Sequence, residues 1–161
     1  MYTRPTNPSP QLLTVLNWFD AITRWDFDTL ASLLSDDYVH STLPASAGDP
    51  DKNKEEGIAH AKVSAQMLGG QHLNLEIYDV NEGEQKIWAH YADVFLHTFQ
   101  KTRLYAKPPS GLTYDSESIF LFTLSPQKDG QLKISVIKDF VDTKTMADLL
   151  ASAIKGSDGE N

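Results

Sequence analysis

The chain has 161 residues, of which 40% are hydrophobic and 22% are charged, and these values predict one folded domain with a single core. Its 14 Lys and Arg against 22 Asp and Glu give a net charge of −8, which would repel the phosphate backbone of a nucleic acid. The absence of cysteine excludes disulfides, thiolate nucleophiles and thiolate zinc sites.

Neither a membrane span nor a secretion signal is predicted. The longest apolar runs, such as residues 119–122, are far shorter than the roughly 20 residues of a spanning helix. The first ten residues are polar and rich in proline, with no apolar signal-peptide core. We therefore expect a cytoplasmic protein, which also fits the lack of cysteine.

Two helices are predicted near the amino terminus, after a flexible arm at residues 1–9. Ser9 is a suitable N-cap for a helix with Pro10 at its first position. Apolar residues then follow at steps of three and four, which places them on one helix face: Leu12, Leu16, Phe19 and Ile22. Asp26 is a suitable cap for the second helix, whose buried stripe is predicted to be Leu30, Leu33 and Leu34.

A short strand and a third helix follow. The β-prone run at residues 38–43 ends at Pro44, which cannot donate to a strand ladder. After a loop of small residues, a helix is predicted over about residues 54–68. Its buried face is formed by Ile58, Ala61, Ala65 and Leu68. His60 lies on roughly the opposite side and is expected to point into solvent.

The rest of the chain is strand-like until a last helix. Turn-forming segments divide strands near residues 72–81, 85–103, 113–125 and 132–141, which predicts an antiparallel meander. Asp142 is predicted to cap the closing helix. Residues 156–161 are expected to form a disordered acidic tail, so that the domain spans residues 10–155.

Four segments of the sequence are informative when they are taken together: Trp18-Phe19-Asp20, Trp25-Asp26-Phe27-Asp28, Leu33 to His40, and Lys138-Asp139-Phe140-Val141-Asp142. The set resembles the nuclear transport factor 2-like superfamily and, within it, the SnoaL-like group, over about residues 11–155. The resemblance implies an α+β fold, a cone-shaped roll in which a strongly curved, mostly antiparallel sheet wraps around three N-terminal helices, with a C-terminal helix. It also implies an apolar pocket for a small molecule, without naming a reaction.

Enzymes of this superfamily use general acids and bases in the pocket, where burial shifts pKa values. Ketosteroid isomerases carry their base on the first strand just before its proline, where this chain has Thr42 or Leu43. Their oxyanion-donating tyrosine falls near Trp18, so steroid isomerisation is not predicted. Scytalone dehydratase has a histidine at a place similar to His90, but its second histidine has no counterpart here and its tyrosine falls near Ile22.

Histidines on the predicted strands are candidate site residues. Strand alternation places Tyr38, His40 and Thr42 on one face, and if that face lines the cone, His40 is a candidate base and Tyr38 a candidate pocket residue. The alternative for His40 is a structural histidine bonded to backbone or a neighbouring helix. His90 and His97 are an odd number of residues apart, so a regular strand sends them to opposite faces. His90 is the candidate catalytic residue, and His97 is expected on the surface or a dimer face.

Asp139 is the strongest candidate for a catalytic base. It matches a position where SnoaL-like proteins often carry an acidic side chain facing the cone, where an apolar pocket would raise the pKa of the carboxyl and suit it to proton abstraction beside a carbonyl. The alternative is a surface ion pair. Glu117 is a second candidate acid in the binding pocket, the alternative being a solvated edge residue. The pocket wall is predicted to include Trp18, Trp88 and Phe120, although such aromatic residues are also typical of a core.

No cofactor and no metal are expected, because the chain lacks a glycine-rich phosphate loop, a serine-hydrolase elbow and a cluster with metal-ligand spacing. We predict a pocket protein that binds a small apolar molecule and acts as a cofactor-independent lyase or isomerase on a carbonyl or polyol compound. Asp139 or His40 would be the base, and His90 or Tyr38 the orienting acid. The alternatives are a ligand-binding or structural protein without catalysis, and a dimeric scaffold for protein interaction.

A homodimer is also expected, because many members of the superfamily dimerise through the outer face of the sheet. The long predicted strand at 85–103 and the residues after it would supply an apolar surface with Phe95, Phe99 and Leu104. Neither a nucleic acid nor a membrane is expected as a partner.

Overall fold

The computed structural model describes residues 3–70, 72–94, 116–145 and 147–148. Three helices are described over their whole length: α1 (Pro10–Thr23), α2 (Phe27–Leu33) and α3 (Lys54–Met67). The strands described are β1 (Leu34–Leu43), β2 (Lys52–Asn53), β3 (Asn74–Glu82), β4 (Lys86–Val94), β5 (Ser116–Pro126) and β6 (Leu132–Phe140). A single 3-10 turn, Ala45–Ala47, follows β1, and the Leu43–Pro44 peptide bond is cis.

The predicted helix caps are present. The Ser9 side chain accepts a hydrogen bond from the Leu12 amide at 3.0 Å, and the Asp26 side chain accepts one from the Thr29 amide at 3.0 Å. Helix α3 begins with a capping box, in which Asn53 accepts from the Glu56 amide and Glu56 accepts from the Asn53 amide. These bonds satisfy amides that have no partner inside a helix.

The start of the closing helix is also present. Asp142 accepts from the amides of Lys144 at 3.0 Å and Thr145 at 3.2 Å, and residues 143–145 and 147–148 are helical. The rest of this predicted helix lies outside the described residues.

Within the described residues the strands form one curled, open sheet in the order β2-β1-β6-β5-β4-β3. The four strands from β3 to β6 pair with their chain neighbours in antiparallel fashion, which confirms the predicted meander. Strand β1 pairs with β2 in antiparallel fashion and with β6 in parallel. The helices pack on one face of this mixed sheet. The predicted α+β cone is therefore confirmed.

Strand β1 begins earlier than the sequence predicts. Leu34, which was expected on the buried stripe of the second helix, is the first residue of β1 and pairs with Ile134. Leu34 is buried in this position as well, so its hydrophobic character does not distinguish the two conformations, and pairing with β6 decides between them. At the other end of the sheet, residues 95–103 of the predicted long strand lie outside the described residues.

The core lies between the helices and the sheet at the end covered by α1. Ring centroids of Trp18 lie 5.4 Å from Phe19, 5.2 Å from Phe120 and 5.3 Å from Phe122, all with edge-to-face geometry. Edge-to-face contacts of this kind are favourable beyond the burial of apolar area. Apolar residues of the helices and the sheet complete the packing, among them Val15, Leu30, Ile87, Leu124, Ile134 and Ile137.

Candidate functional site

A cavity of about 690 Å³ lies beside the aromatic core, between β1, β6, α3 and the segment 44–50 that follows β1. Its volume is within the range of roughly 300–1,000 Å³ that is typical of small-molecule sites. The polar lining includes His40, Thr42, Asp49, His60, Ser64 and Asp139. The apolar lining includes Val63, Met67, Leu68, Val141 and Ala147.

The parallel pairing of β1 with β6 brings together residues that are far apart in the sequence. Thr42 pairs with Asp139, and His40 pairs with Ile137. Because side chains alternate along a strand, His40, Thr42 and Asp139 all face the helices, where they line the cavity. Phe140, the next residue of β6, is exposed on the outer face of the sheet.

His40 is held as a neutral imidazole. Burial lowers its pKa to about 4, and the positive charges of Lys52 and His60 act in the same direction, against smaller opposing effects of Asp49 and Asp51. Its Nε2 atom is buried and has no hydrogen-bond partner among the described residues. A neutral imidazole carries one N–H donor and one acceptor nitrogen, so His40 can serve a ligand in either role.

Tyr38, a predicted pocket residue, is only 5% exposed and is not among the described residues that line the cavity. Burial raises the pKa of its hydroxyl, and the negative charge of Asp139 raises it further, so the phenol stays protonated. A Cβ atom added at Gly57 of α3 would lie 3.2 Å from Tyr38 Cε1. The helix can approach the Tyr38 ring closely because residue 57 has no side chain.

Asp49 connects the segment 44–50 to the sheet. Its Oδ2 accepts a hydrogen bond from Thr42 Oγ1 at 2.6 Å and lies 2.5 Å from Lys52 Nζ, which also donates to the Pro50 carbonyl at 3.2 Å. Burial alone would raise the pKa of Asp49, but the bonds from Lys52 and Thr42 outweigh it, and the net effect is a lowered pKa. Asp49 is therefore a carboxylate in an ion pair at the cavity wall.

His60 was expected in solvent, and the structure places it at the mouth of the cavity, exposed on one side and facing the lining residues on the other. Partial burial and the charge of Lys52 lower its pKa. The apolar stripe of this helix indicates only its core-facing side. A second pattern could have indicated the cavity side, since Val63 and Met67 follow His60 at helical spacing outside the core stripe.

Asp139, the predicted base, lies on β6 with its Oδ1 atom buried, and it lines the cavity together with His40. In the antiparallel pairing of β5 with β6 its partner is Phe120. A carboxylate and a neutral imidazole thus share one cavity, a combination that suits general acid–base chemistry.

The predicted aromatic pocket wall lies elsewhere. Trp18 and Phe120 are buried in the aromatic core and are not among the described residues that line the cavity. Trp88 is 51% exposed, because its neighbours Ile87 and Ala89 are fully buried and alternation turns Trp88 to the outer face. Trp18 and Phe120 are therefore core residues, which is the alternative that their spacing also allows.

Two further candidates are described only by their backbone. His90 on β4 pairs with Ile119 of β5, and Glu117 on β5 pairs with Ala92 of β4. The side chains of His90 and Glu117 lie outside what the structure describes. His97 and the predicted dimer residues Phe95, Phe99 and Leu104 lie outside the described residues altogether.

In the described part of the chain, no group of three or more His, Asp or Glu has an arrangement that could hold a metal ion. None of the described helices has the length and apolar content that a membrane crossing requires.

Comparisons with known proteins bear on the fold. BvnE, a pinacolase from Penicillium brevicompactum, aligns with a TM-score of 0.71 at 18% identity, over 92% of this chain and 96% of that one. A protein assigned as a SnoaL-like polyketide cyclase from Shewanella putrefaciens aligns with a TM-score of 0.67 at 14% identity, over 94% and 98%. TerC, crystallised with polyporic acid, gives 0.65 at 16% identity, over 89% and 99%.

No family model and no curated protein matches the sequence. At identities this low, the likeness to solved structures concerns the fold and not the reaction. The chain therefore has the nuclear transport factor 2-like fold, in the form found in its SnoaL-like group.

Proposed function

We propose that the protein is a cofactor-independent lyase or isomerase for a small, largely apolar carbonyl or polyol compound. The observation that carries the proposal is the cavity of about 690 Å³ that His40 of β1 and Asp139 of β6 line together. Similar folds in a pinacolase and in a protein crystallised with polyporic acid support small-molecule chemistry of this kind.

The proposed chemistry starts with a proton transfer from carbon. The Asp139 carboxylate accepts a proton from a carbon next to the substrate carbonyl, and the electron pair of the C–H bond moves towards the carbonyl oxygen. The N–H of the neutral His40 imidazole donates a hydrogen bond to that oxygen and stabilises its developing charge. In an isomerisation the proton then returns to another carbon; in an elimination a neighbouring C–O bond breaks and the oxygen leaves as water after protonation.

The electrostatics of the site support these roles. The lowered pKa of His40 keeps its imidazole uncharged at neutral pH, and a neutral imidazole can polarise a carbonyl without first losing a proton. Tyr38 and the charge of Asp139 influence each other electrostatically. We propose that the buried Tyr38 positions Asp139. The roles of His90 and Glu117 as site residues remain predictions.

The test is exchange of α-protons for deuterium. Small apolar ketones are incubated with the protein in heavy water, and proton NMR measures the loss of the α-proton signal. We expect the natural protein to accelerate exchange for at least one ketone, and Asp139→Asn to lose this acceleration by about 10²–10⁴-fold, the usual contribution of a general base. Asp36→Asn is the matched control, because it removes a solvent-exposed carboxylate from β1.

The outcomes separate the competing functions. Exchange that survives in Asp139→Asn would exclude Asp139 as the base. Ligand binding without exchange for any ketone would favour a binding protein without catalysis, the alternative that the sequence also allows.

The expected homodimer and the cytoplasmic location belong to this proposal. Apolar side chains are exposed on the outer face of the sheet, among them Val39, Trp88, Ile119 and Phe140, and they offer a surface for a second copy. Light scattering should give twice the chain mass of 18.0 kDa, and a value equal to the chain mass would contradict the dimer.

A further inference from the structure

The cavity lining combines polar groups from several elements with apolar side chains. His40 and Thr42 come from β1, Asp49 from the segment after it and Asp139 from β6, and helix α3 contributes His60 and Ser64 beside the apolar Val63 and Met67. A ligand that fills this space therefore meets both polar groups and apolar surface.

The polar part of the lining is rich in hydrogen-bond acceptors. Thr42 Oγ1 uses its only hydrogen in the bond to Asp49, and Ser64 Oγ uses its own on the His60 carbonyl at 3.1 Å. Both hydroxyls thus present only lone pairs to a ligand, and the Asp49 carboxylate likewise only accepts. The acceptors on Thr42, Ser64 and Asp49 do not depend on the interactions that Asp139 makes.

Within the described part of the chain, side-chain donors for an anion are scarce in the same wall. Lys52 Nζ is engaged by Asp49 and the Pro50 carbonyl, and Lys52 is not among the lining residues. The amides of Ala47 and Gly48 are bonded to the carbonyls of Pro44 and Ala45. Among the side chains of the described lining residues, the donors that remain are one imidazole N–H each from the two histidines and the hydroxyls of Ser46 and Thr143.

We propose that the cavity takes an uncharged ligand with more than one hydroxyl group on an apolar skeleton, and that it discriminates against carboxylates. Hydroxyl groups donate to the acceptors of the wall, whereas a carboxylate brings acceptors only and would face Asp49 with like charge. The inference deepens the proposed function, because it assumes that this cavity is the active site and narrows its substrates to hydroxylated ones.

The test compares the affinities of three probes built on one bicyclic hydrocarbon: 1,2-dihydroxytetralin, 2-tetralone and tetralin-2-carboxylate. Calorimetry measures binding, and amide NMR shifts at Thr42, Gly48 and His60 locate it in the cavity. We expect the diol to bind most tightly and the carboxylate most weakly, with at least about a tenfold difference between them. A carboxylate that binds as tightly as the diol would overturn the inference, and so would a lack of binding by all three.

Asp49→Asn tests the cause of the selectivity. The amide supplies two N–H donors and leaves Lys52 without its carboxylate partner, so the affinity for the carboxylate probe relative to the diol should rise by about tenfold. Asp51→Asn is the matched control, since it removes an exposed negative charge near His40 without changing the lining. An unchanged ratio in Asp49→Asn, or an equal rise in Asp51→Asn, would overturn the inference.

Ser64→Ala is the second variant if Asp49→Asn does not fold. It removes an acceptor from α3 and should weaken the diol but not the ketone; equal affinities for the diol before and after the change would contradict the inference. Binding is measured without turnover, so the two proposals can fail separately. A preference for the diol without α-proton exchange overturns only the proposed reaction, and exchange with tight carboxylate binding overturns only the inference.

Discussion

The helix-facing side of the sheet has two neighbouring regions with opposite character. In the packed region, Trp18 and Phe122 are buried in a cluster of edge-to-face rings. In the open region, His40 and Asp139 line a cavity. The two regions meet between β5 and β6, where Phe120 of the packed region pairs with Asp139 of the open region. The same scaffold thus separates the residues that stabilise it from those available to a ligand.

The difference comes from the helix that covers each region. Helix α1 presents large apolar residues such as Leu16 and Phe19 to the sheet, and they fill the space. Helix α3 presents smaller or polar residues such as His60, Val63 and Ser64 to the cavity, and they leave it open. The comparison predicts that substitutions in the packed region act on stability, and that those in the open region act on ligand binding and on pH dependence.

The largest expected effect is in the packed region. Phe122→Ala removes a fully buried ring and should lower the free energy of unfolding by about 3–5 kcal/mol, the usual cost of a large-to-small change in a core. Val63→Ala in the open region shortens a side chain that is 51% exposed. This change should alter the free energy of unfolding by no more than about 0.5 kcal/mol. Urea unfolding measures both. If the two variants lost equal stability, the division into two regions would be wrong.

The next effect is a pH dependence that originates in the open region. In the unfolded chain a histidine has its ordinary pKa of 6.5, whereas the pKa of His40 in the folded protein is about 4. Between these values the unfolded state binds more protons than the folded state, so acid destabilises the protein. The stability present above pH 6.5 should fall by about 3 kcal/mol as the pH approaches 4, with no further loss from this group below that.

Unfolding curves recorded across this pH range check the assignment. His40→Gln cannot be protonated and should show a flatter profile, while His72→Gln, at an exposed position, should keep the profile of the natural protein. Carboxyls with lowered pKa values, such as Asp26 and Asp142, add an acid dependence of their own that is present in all three proteins. A step of equal size in His40→Gln would rule out His40 as its source.

The smallest effect concerns the contact between α3 and β1. Alanine is favoured over glycine in a helix by about 1 kcal/mol, yet a Cβ at residue 57 would press on the buried Tyr38 ring at 3.2 Å. Because overpacking costs about 1–3 kcal/mol, Gly57→Ala should destabilise the protein by a net of about 1 kcal/mol. In a Tyr38→Leu background, which lacks the ring, the same change should become neutral or stabilising. Urea unfolding of the natural protein, the two single variants and the double variant forms a double-mutant cycle. Additive effects of the two changes on the free energy of unfolding would argue against the contact.

Much of the fold could be predicted because its signals are local. The cap at Ser9 and the apolar spacing from Leu12 to Ile22 depend on residues within one or two helix turns. The meander from β3 to β6 follows from strand-like runs with turns between them. The position of Leu34 could not be predicted, since an apolar residue at that point suits the end of a helix and the start of a buried strand equally well.

The candidate site was predictable only in part. His40 and Asp139 were identified from alternation and from a resemblance to the SnoaL-like group, and both line the cavity. Asp49 and His60 were missed as site residues, because a loop residue and a polar residue opposite a core stripe are ordinary surface features by sequence. The outward position of Trp88 depends on which face of β4 is buried, and a shift of one residue would reverse that face.

By itself the sequence determined the helices, their caps, the antiparallel meander and the acidic charge, because each follows from residue type and short-range spacing. Only the tertiary structure decided that β1 lies parallel to β6, with Thr42 beside Asp139. Their pairing joins residues almost a hundred positions apart, and both strands contain register shifts that change which residues face inward. The cavity and its polar wall arise from that long-range pairing and from the close approach of α3, neither of which has a signature in local sequence.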